Sequence, residues 1–171
     1  MLEFIKQSII HPRRTGAIVP SSKNLAQAML QSVDFSQAKH IVELGPGTGV
    51  VTRLILQRMR KDARLTVIEL NPVFCQNLKS INDYRMTIIN GDVRYMSVGK
   101  ADYVISSLPL NGFHKAERLQ VIHSIKNMTK KYIQFHYSSY GEKYLKEHFS
   151  GVTKKWVVKN IPPAIVYTAV N

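Results

Sequence analysis

Glu43-Leu44-Gly45-Pro46-Gly47-Thr48-Gly49 decides the reading of this chain. Ahead of it, residues 41–44 form a short apolar run of strand type. Behind it, residues 50–60 set Val51, Leu54, Ile55 and Met59 at helical spacing. A glycine-rich turn between a strand and a helix is where doubly wound folds bind nucleotides, because glycine lets the backbone turn sharply and lets a ligand lie against it. The spacing is G-x-G-x-G, which differs from the G-x-G-x-x-G of a pyrophosphate seat. No G-x-x-x-x-G-K-[ST] occurs anywhere, which argues against a nucleoside triphosphate.

Working outward, strand-like and helix-like stretches alternate. Strands are expected at 65–69, 86–90, 101–106 and 132–137, and helices at 73–80 (opened by Pro72), 115–127 and 142–149. This alternation predicts an α/β fold: a mostly parallel sheet with helices on both faces. Two closing strands, 156–159 and 165–170, are joined through Pro162-Pro163 with no helix between them. They predict a hairpin and at least one antiparallel edge strand. Before the sheet lies a helical arm, residues 1–34, in which Leu2, Ile5 and Ile9 share one helical face beside Phe4, with Lys6, Arg13 and Arg14 close by. Pro20-Ser21-Ser22 reads as a helix start with a serine N-cap, followed by a helix over 23–33. Residues 1–171 are expected to form a single domain, the arm followed by a core at 35–171.

Hydrophobic residues make up 44% of the 171, enough for a packed core. No apolar stretch reaches the roughly 18 residues of a membrane span. The first ten residues are too short and polar for a signal peptide, and the single Cys75 excludes an internal disulfide. A cytoplasmic location is expected, with a peripheral place on the inner face of the membrane. Charge is the outlier: 24 Lys and Arg against 11 Asp and Glu, a net +13. Residues 115–171 alone hold ten basic and three acidic residues. A chain this basic is expected to meet an anionic membrane surface or RNA. No His, Cys or Asp cluster shows metal-ligand spacing, so no metal is expected.

Three acids stand at the ends of successive strands. Glu43 precedes the glycine turn, Glu69 closes the second strand, and Asp92 follows Gly91 after the third. A carboxylate at the second position suits a ribose diol. The structural alternatives are a loop brace for Glu43 and helix or turn caps for Glu69 and Asp92. Val42–Gly49 resembles motif I of class I S-adenosylmethionine-dependent methyltransferases, Val67-Ile68-Glu69 resembles motif II, and Asn90-Gly91-Asp92 resembles motif III. The resemblance implies a Rossmann-like sheet of seven strands. It implies that Gly45, Gly47, Thr48 and Gly49 line the methionine and ribose of S-adenosylmethionine, and that Glu43 lies near the methionine ammonium. Glu69 would hold the ribose and Asp92 the adenine edge. Leu70, Gly91, Val93 and Ser106 complete the implied cofactor set.

The fourth strand ends Ser106-Ser107-Leu108-Pro109-Leu110. This resembles motif IV of amino-group methylating enzymes, whose pattern in RNA adenine dimethylases is N-L-P-[YF]. There the asparagine and backbone carbonyls hold the base nitrogen and the aromatic stacks the extruded base. Here Ser107 and Leu110 stand in those places, and no separate RNA-binding domain is expected beyond the seventh strand. The chain more closely resembles bacterial phospholipid N-methyltransferases. Those carry S-x-L-P-L at motif IV and an H-P-[RK]-x-x-G-x-x-x-P-S-S segment, matched by His11–Gly16 and Ala17–Ser22, and a Q-[FY]-x-Y segment, matched by Gln134–Tyr137. The resemblance implies an acceptor site built from Ser107, Leu108, Pro109 and Tyr137, and a head-group amine such as that of phosphatidylethanolamine as acceptor. RNA base methylation, methylation of a small metabolite and a non-catalytic binding module are the alternatives.

Overall fold

The computed structural model describes residues 22–96 and 98–171. The arm residues Leu2, Ile5, Ile9, Lys6, Arg13 and Arg14, and the segment 11–21, lie outside the described residues.

The elements run α1 (Lys23–Met29), β1 (His40–Leu44), α2 (Val50–Arg58), β2 (Arg64–Glu69), α3 (Pro72–Lys79), β3 (Met86–Asn90), β4 (Tyr103–Ser106), α4 (Lys115–Met128), β5 (Lys131–His136), α5 (Tyr140–His148), β6 (Gly151–Val157) and β7 (Ala164–Val170), with short 3-10 turns between some of them. The seven strands form one sheet in the order β3-β2-β1-β4-β5-β7-β6. The first five strands are mutually parallel, and β7 is antiparallel to both β5 and β6. The fold is the Rossmann-like α/β sheet that the sequence implies.

Apolar periodicity builds two cores. On one face Ile41, Leu65, Val67, Ile105 and Ile133 pack with Leu25, Met29, Val51 and Ile55 from α1 and α2. On the other, Val42, Leu44, Ile68, Val104 and Tyr132 pack with Val121, Ile122 and Ile125 of α4 and Leu145 of α5. Covered on both sides, β1 is buried at every residue, which is why its sequence reads as an apolar run with no alternation. Since β1 to β4 all point one way, the loops that follow them meet along one edge of the sheet.

α1 starts at the expected cap: the Ser22 hydroxyl accepts a hydrogen bond from the Leu25 amide at 3.2 Å. It stops at Met29 and passes into a 3-10 turn, Leu30–Ser32, short of the predicted end. Leu25, Ala26 and Met29 are fully buried, so this helix belongs to the core packing.

Two expectations at the carboxyl-terminal end are corrected. The antiparallel strand is not at an edge: β7 is interior, and the edge strand β6 runs with the parallel set. Ala164–Val170 is nearly all apolar and buried, so it takes the covered position, while β6 exposes Thr153, Lys154, Lys155 and Trp156. The last strand pair also begins earlier, at Gly151 and not at 156. An exposed edge strand with lysines against edge pairing has no apolar alternation by which to find it.

Candidate active site

The glycine turn is closed by its own amides. The Gly45 N–H donates to the Ile68 carbonyl at 2.9 Å, fixing the turn to β2, and the Gly49 N–H donates to the Pro46 carbonyl at 2.9 Å. Gly45 has φ +66°, and a Cβ there would stand 2.9 Å from Leu108 Cδ2. The loops after β1 and β4 therefore cross in contact at this point. Gly47 has φ +54° and nothing within 4 Å of its would-be Cβ, so this side of the turn is open to a ligand. Thr48 is exposed, and its carbonyl accepts from Arg53 Nη1 at 2.9 Å. Gly45→Ala is expected to destabilise the chain by about 1–2 kcal/mol through the left-handed backbone, lowering Tm by about 2–8 °C. It should also displace Leu108 and reduce methyl transfer; a thermal melt and a methylation assay check both.

Glu69 ends β2 almost buried, 7% exposed. One carboxylate oxygen accepts from the Gly47 N–H at 3.1 Å and the other from the Asn71 N–H at 2.8 Å. Burial pushes its carboxyl up from the ordinary range, and the Asn71, Gly47 and Leu70 amides offset this in part. Asn71 in turn caps α3 by accepting from the Val73 N–H at 2.9 Å. Asn90 Nδ2 donates to the carbonyls of Glu69 at 2.9 Å and Leu70 at 3.0 Å, and the Gly91 N–H reaches the Glu69 carbonyl at 3.0 Å. The ends of β2 and β3 are thereby locked side by side, with Leu70 and Gly91 in the seam.

Asp92 is more heavily engaged than the sequence indicates. Its carboxylate accepts from Arg94 Nε, 3.0 Å to each oxygen, and from the Arg94 N–H at 3.0 Å, capping the 3-10 turn Val93–Tyr95. Burial works against the charged form, but the Arg94 bonds outweigh it and hold the carboxyl below its usual range. Arg94 also pairs with Glu117 at 2.8 Å, tying this loop to α4, and Val93 is buried beneath it.

Glu43 is fully buried, and neither of its oxygens has a hydrogen-bond partner among the described residues; the same holds for the Thr52 hydroxyl. Burial drives the Glu43 carboxyl to about 8; Thr52, beside it but not in hydrogen-bonding geometry, eases this in part, and the nearby Glu69 charge adds to it. An orphaned acid behind an open glycine turn, with a second carboxylate at the next strand end, fits a ligand that is cationic at one end and carries a diol. S-adenosylmethionine is such a ligand.

At the end of β4, Ser106 is buried and its hydroxyl accepts from the Leu108 N–H at 3.2 Å. The Leu108 carbonyl accepts from Gln134 Nε2 at 3.1 Å and from the Leu110 N–H at 2.9 Å. Both of its lone pairs are engaged. Among the described residues, the Ser107 carbonyl and hydroxyl accept or donate no hydrogen bond, and Ser107 is part-exposed, as is Pro109. Leu110 is fully buried in the core. Tyr137, just beyond β5, is half-buried and packs edge-on to Phe135 at 5.4 Å, on the α1 and α2 side of the sheet. Burial pushes its phenol up, with Asn160 partly opposing. His136 is buried against Tyr144, whose hydroxyl lies 2.7 Å from Nε2, and burial lowers the imidazole to about 4.

The geometry thus gathers Glu43, the glycine turn, Glu69, Asp92 and Ser106–Pro109 along one edge. Thr52, Asn71 and Arg94 adjoin these groups and had no place in the sequence reading; Asn90 stood in the third motif, but its bonds to the end of β2 were not foreseen. For Thr52 the available signal was a polar residue on the inward face of α2, between Val51 and Ile55.

Residues 19–153 match the family described as ribosomal RNA adenine dimethylase. The chain is 27% identical to ornithine lipid N-methyltransferase of Singulisphaera acidiphila, across 96% of this chain and 92% of that one. It is 30% identical to ribosomal RNA small subunit methyltransferase A of Dechloromonas aromatica over 70% of this chain, and spans about half of that relative, 49%. Among solved structures it resembles the N-terminal domain of EvdMO1 with SAH bound, with TM-score 0.67 and 14% identity over 86% of this chain and 80% of that one. The chain belongs to the ribosomal RNA adenine dimethylase family and is an S-adenosylmethionine-dependent methyltransferase.

Proposed function

We propose that this enzyme methylates the amine of a membrane-lipid head group, phosphatidylethanolamine or an amine-bearing lipid such as ornithine lipid. The observation that carries this reading is Leu110. In the place where the base-methylating pattern has a stacking aromatic, it is an aliphatic side chain buried in the core, with no ring face to offer an extruded base. The near full-length similarity to an ornithine lipid N-methyltransferase supports the same reading.

S-adenosylmethionine supplies an electrophilic methyl group on a sulfonium centre. We assign Glu69 to the ribose hydroxyls, the turn at Gly45–Gly49 to the methionine and ribose, and Glu43 to the ammonium. Asp92, with Leu70, Gly91 and Val93, would border the adenine, and Ser106 would shape the floor through its bond to Leu108. An alkyl amine has a pKa near that of lysine, about 10.4, so it must shed a proton before its lone pair can attack. The Ser107 carbonyl and hydroxyl, which no described residue bonds, are the groups to hold the remaining N–H bonds and aim that lone pair. The Leu108 carbonyl is committed to Gln134 and Leu110 and acts by shaping the loop, with Pro109 fixing its turn. Proximity and alignment supply most of the rate. Tyr137, its phenol kept neutral by burial, suits donation to a lipid phosphate better than service as a base.

RNA methylation is the second reading, favoured by the family match and the +13 charge. The test is transfer of labelled methyl from S-adenosylmethionine into cell material, then separated into lipid, RNA and small-molecule fractions. Label in lipid, lost with Glu69→Ala, is expected. Label in RNA overturns the lipid reading, and label only among small molecules assigns a metabolite acceptor.

A further inference from the structure

We propose that the tip of the β6–β7 hairpin, residues 158–163, together with Trp156, seats this enzyme on an anionic lipid surface. The proposal deepens the lipid reading above and rests on it. Val158 is 72% exposed, Ile161 87% and Trp156 59%. Single exposed apolar residues are common on protein surfaces, but here three fall in one short segment whose one uncharged polar residue is turned inward while Lys159 is exposed. Asn160 is 3% exposed. Its N–H donates to the Val157 carbonyl at 3.3 Å and its Nδ2 to the Pro162 carbonyl at 2.6 Å, while its Oδ1 accepts from the Ser22 hydroxyl at 2.6 Å. Asn24 Nδ2 adds a bond to the Lys159 carbonyl at 3.4 Å. The turn is pinned from within, and the pinning holds Val158 and Ile161 out in solvent.

Charge identifies the occupant. Residues 148–171 contain no Asp or Glu and include Lys154, Lys155 and Lys159. Lys154 pairs with Glu142 at 2.8 Å and Lys155 bonds Gln31, but Lys155 and Lys159 have no carboxylate partner among the described residues. Indole and branched aliphatic side chains beside unpaired lysines suit the boundary between lipid head groups and acyl chains, where the apolar groups sink and the amines meet phosphate. The lysines on β6 also oppose pairing of this edge strand with a second copy of the chain.

Position connects the tip to the chemistry. His136, the last residue of β5, pairs with Ile165 near the start of β7. The tip therefore lies at the same edge of the sheet as the Ser106–Pro109 loop. Its β7 side stands two strand spacings from β4 and its β6 side three, about 10 to 15 Å. A head group lifted from a surface under the tip is within reach of that loop.

Trp156 is the sole tryptophan of the chain, so its fluorescence reports on this element alone. The unmodified protein is titrated with vesicles of phosphatidylglycerol and phosphatidylcholine, with pure phosphatidylcholine as the uncharged arm. The expected result is a blue shift with the anionic vesicles and quenching by brominated acyl chains. Val158→Glu/Ile161→Glu, with an unchanged circular dichroism spectrum, is expected to bind these vesicles about tenfold or more weakly. Protein that sediments with vesicles without a tryptophan shift overturns the tip while leaving the lipid acceptor standing. Label in RNA together with no vesicle binding overturns both. A blue shift that follows protein concentration without lipid, with dimers in sedimentation, assigns the tip to a second copy and overturns the proposal.

Discussion

Glu69→Ala is expected to weaken the binding of S-adenosylmethionine severely. The carboxylate at the end of β2 is assigned both ribose hydroxyls, and a hydrogen bond to a charged group contributes about 1.5–3 kcal/mol. Losing two weakens binding by about a hundredfold or more. The same change leaves the Gly47 and Asn71 amides without their acceptor, so the turn that bounds the site loosens as well. Glu69→Gln separates the two effects. It keeps an oxygen acceptor and the side-chain shape, so it is expected to melt close to the wild type yet bind the cofactor less tightly. Calorimetric titration gives the affinity and a thermal scan the stability. A folded Glu69→Ala chain with unchanged affinity would remove this residue from the ribose.

The second large effect belongs to Glu43 and is one of pH. Its carboxyl sits at about 8 in the fold against 4.5 in the unfolded chain, because burial disfavours the charge and no described residue offers it a hydrogen bond. Between those values the folded state retains a proton that the unfolded state has released. Stability is therefore fullest below the unfolded pKa, falls as pH rises towards 8, and levels off above it. Each pH unit costs about 1.4 kcal/mol, so the whole descent amounts to at most about 5 kcal/mol. Glu43→Gln carries no charge to bury and is expected to lack this descent, with denaturant unfolding at about pH 5 and about pH 9 as the measurement. A parallel slope in the variant would refute the account. Binding supplies a second readout. If the ligand's ammonium pairs with Glu43, binding near neutral pH should release close to one proton. Calorimetry in two buffers of different ionisation heat detects that release, and Glu43→Gln should lack it.

Much of the architecture was legible because the signals are local. Residues 41–49 carry strand, turn and helix signatures within a few positions, and the predicted bounds of β3 coincide with Met86–Asn90. The Ser22 cap and Pro72 at the first turn of α3 could be read from residue chemistry alone. The strands at the centre of the sheet announced themselves as apolar runs because both their faces are covered. The motif acids were identifiable because strand ends at one edge of a parallel sheet converge whatever the surrounding detail.

What only the tertiary structure decided depends on groups distant in sequence. That β7 is interior and β6 the edge follows from which strand is the more apolar once both compete for one place beside β5. That no described residue bonds the Glu43 carboxyl, that Arg94 is tied to Glu117, and that Gln134 occupies the Leu108 carbonyl while no described residue bonds the Ser107 carbonyl or hydroxyl are matters of ångström-scale placement, and the last two contacts join residues 23 and 26 positions apart. Asn160 turning inward, so that Val158 and Ile161 face out, reverses what polarity alone would assign to that turn. Propensity and periodicity act along the chain, and they fixed the elements and the order of the acids. Hydrogen-bond satisfaction and burial act across it, and they determined which carboxylates and carbonyls remain free for chemistry.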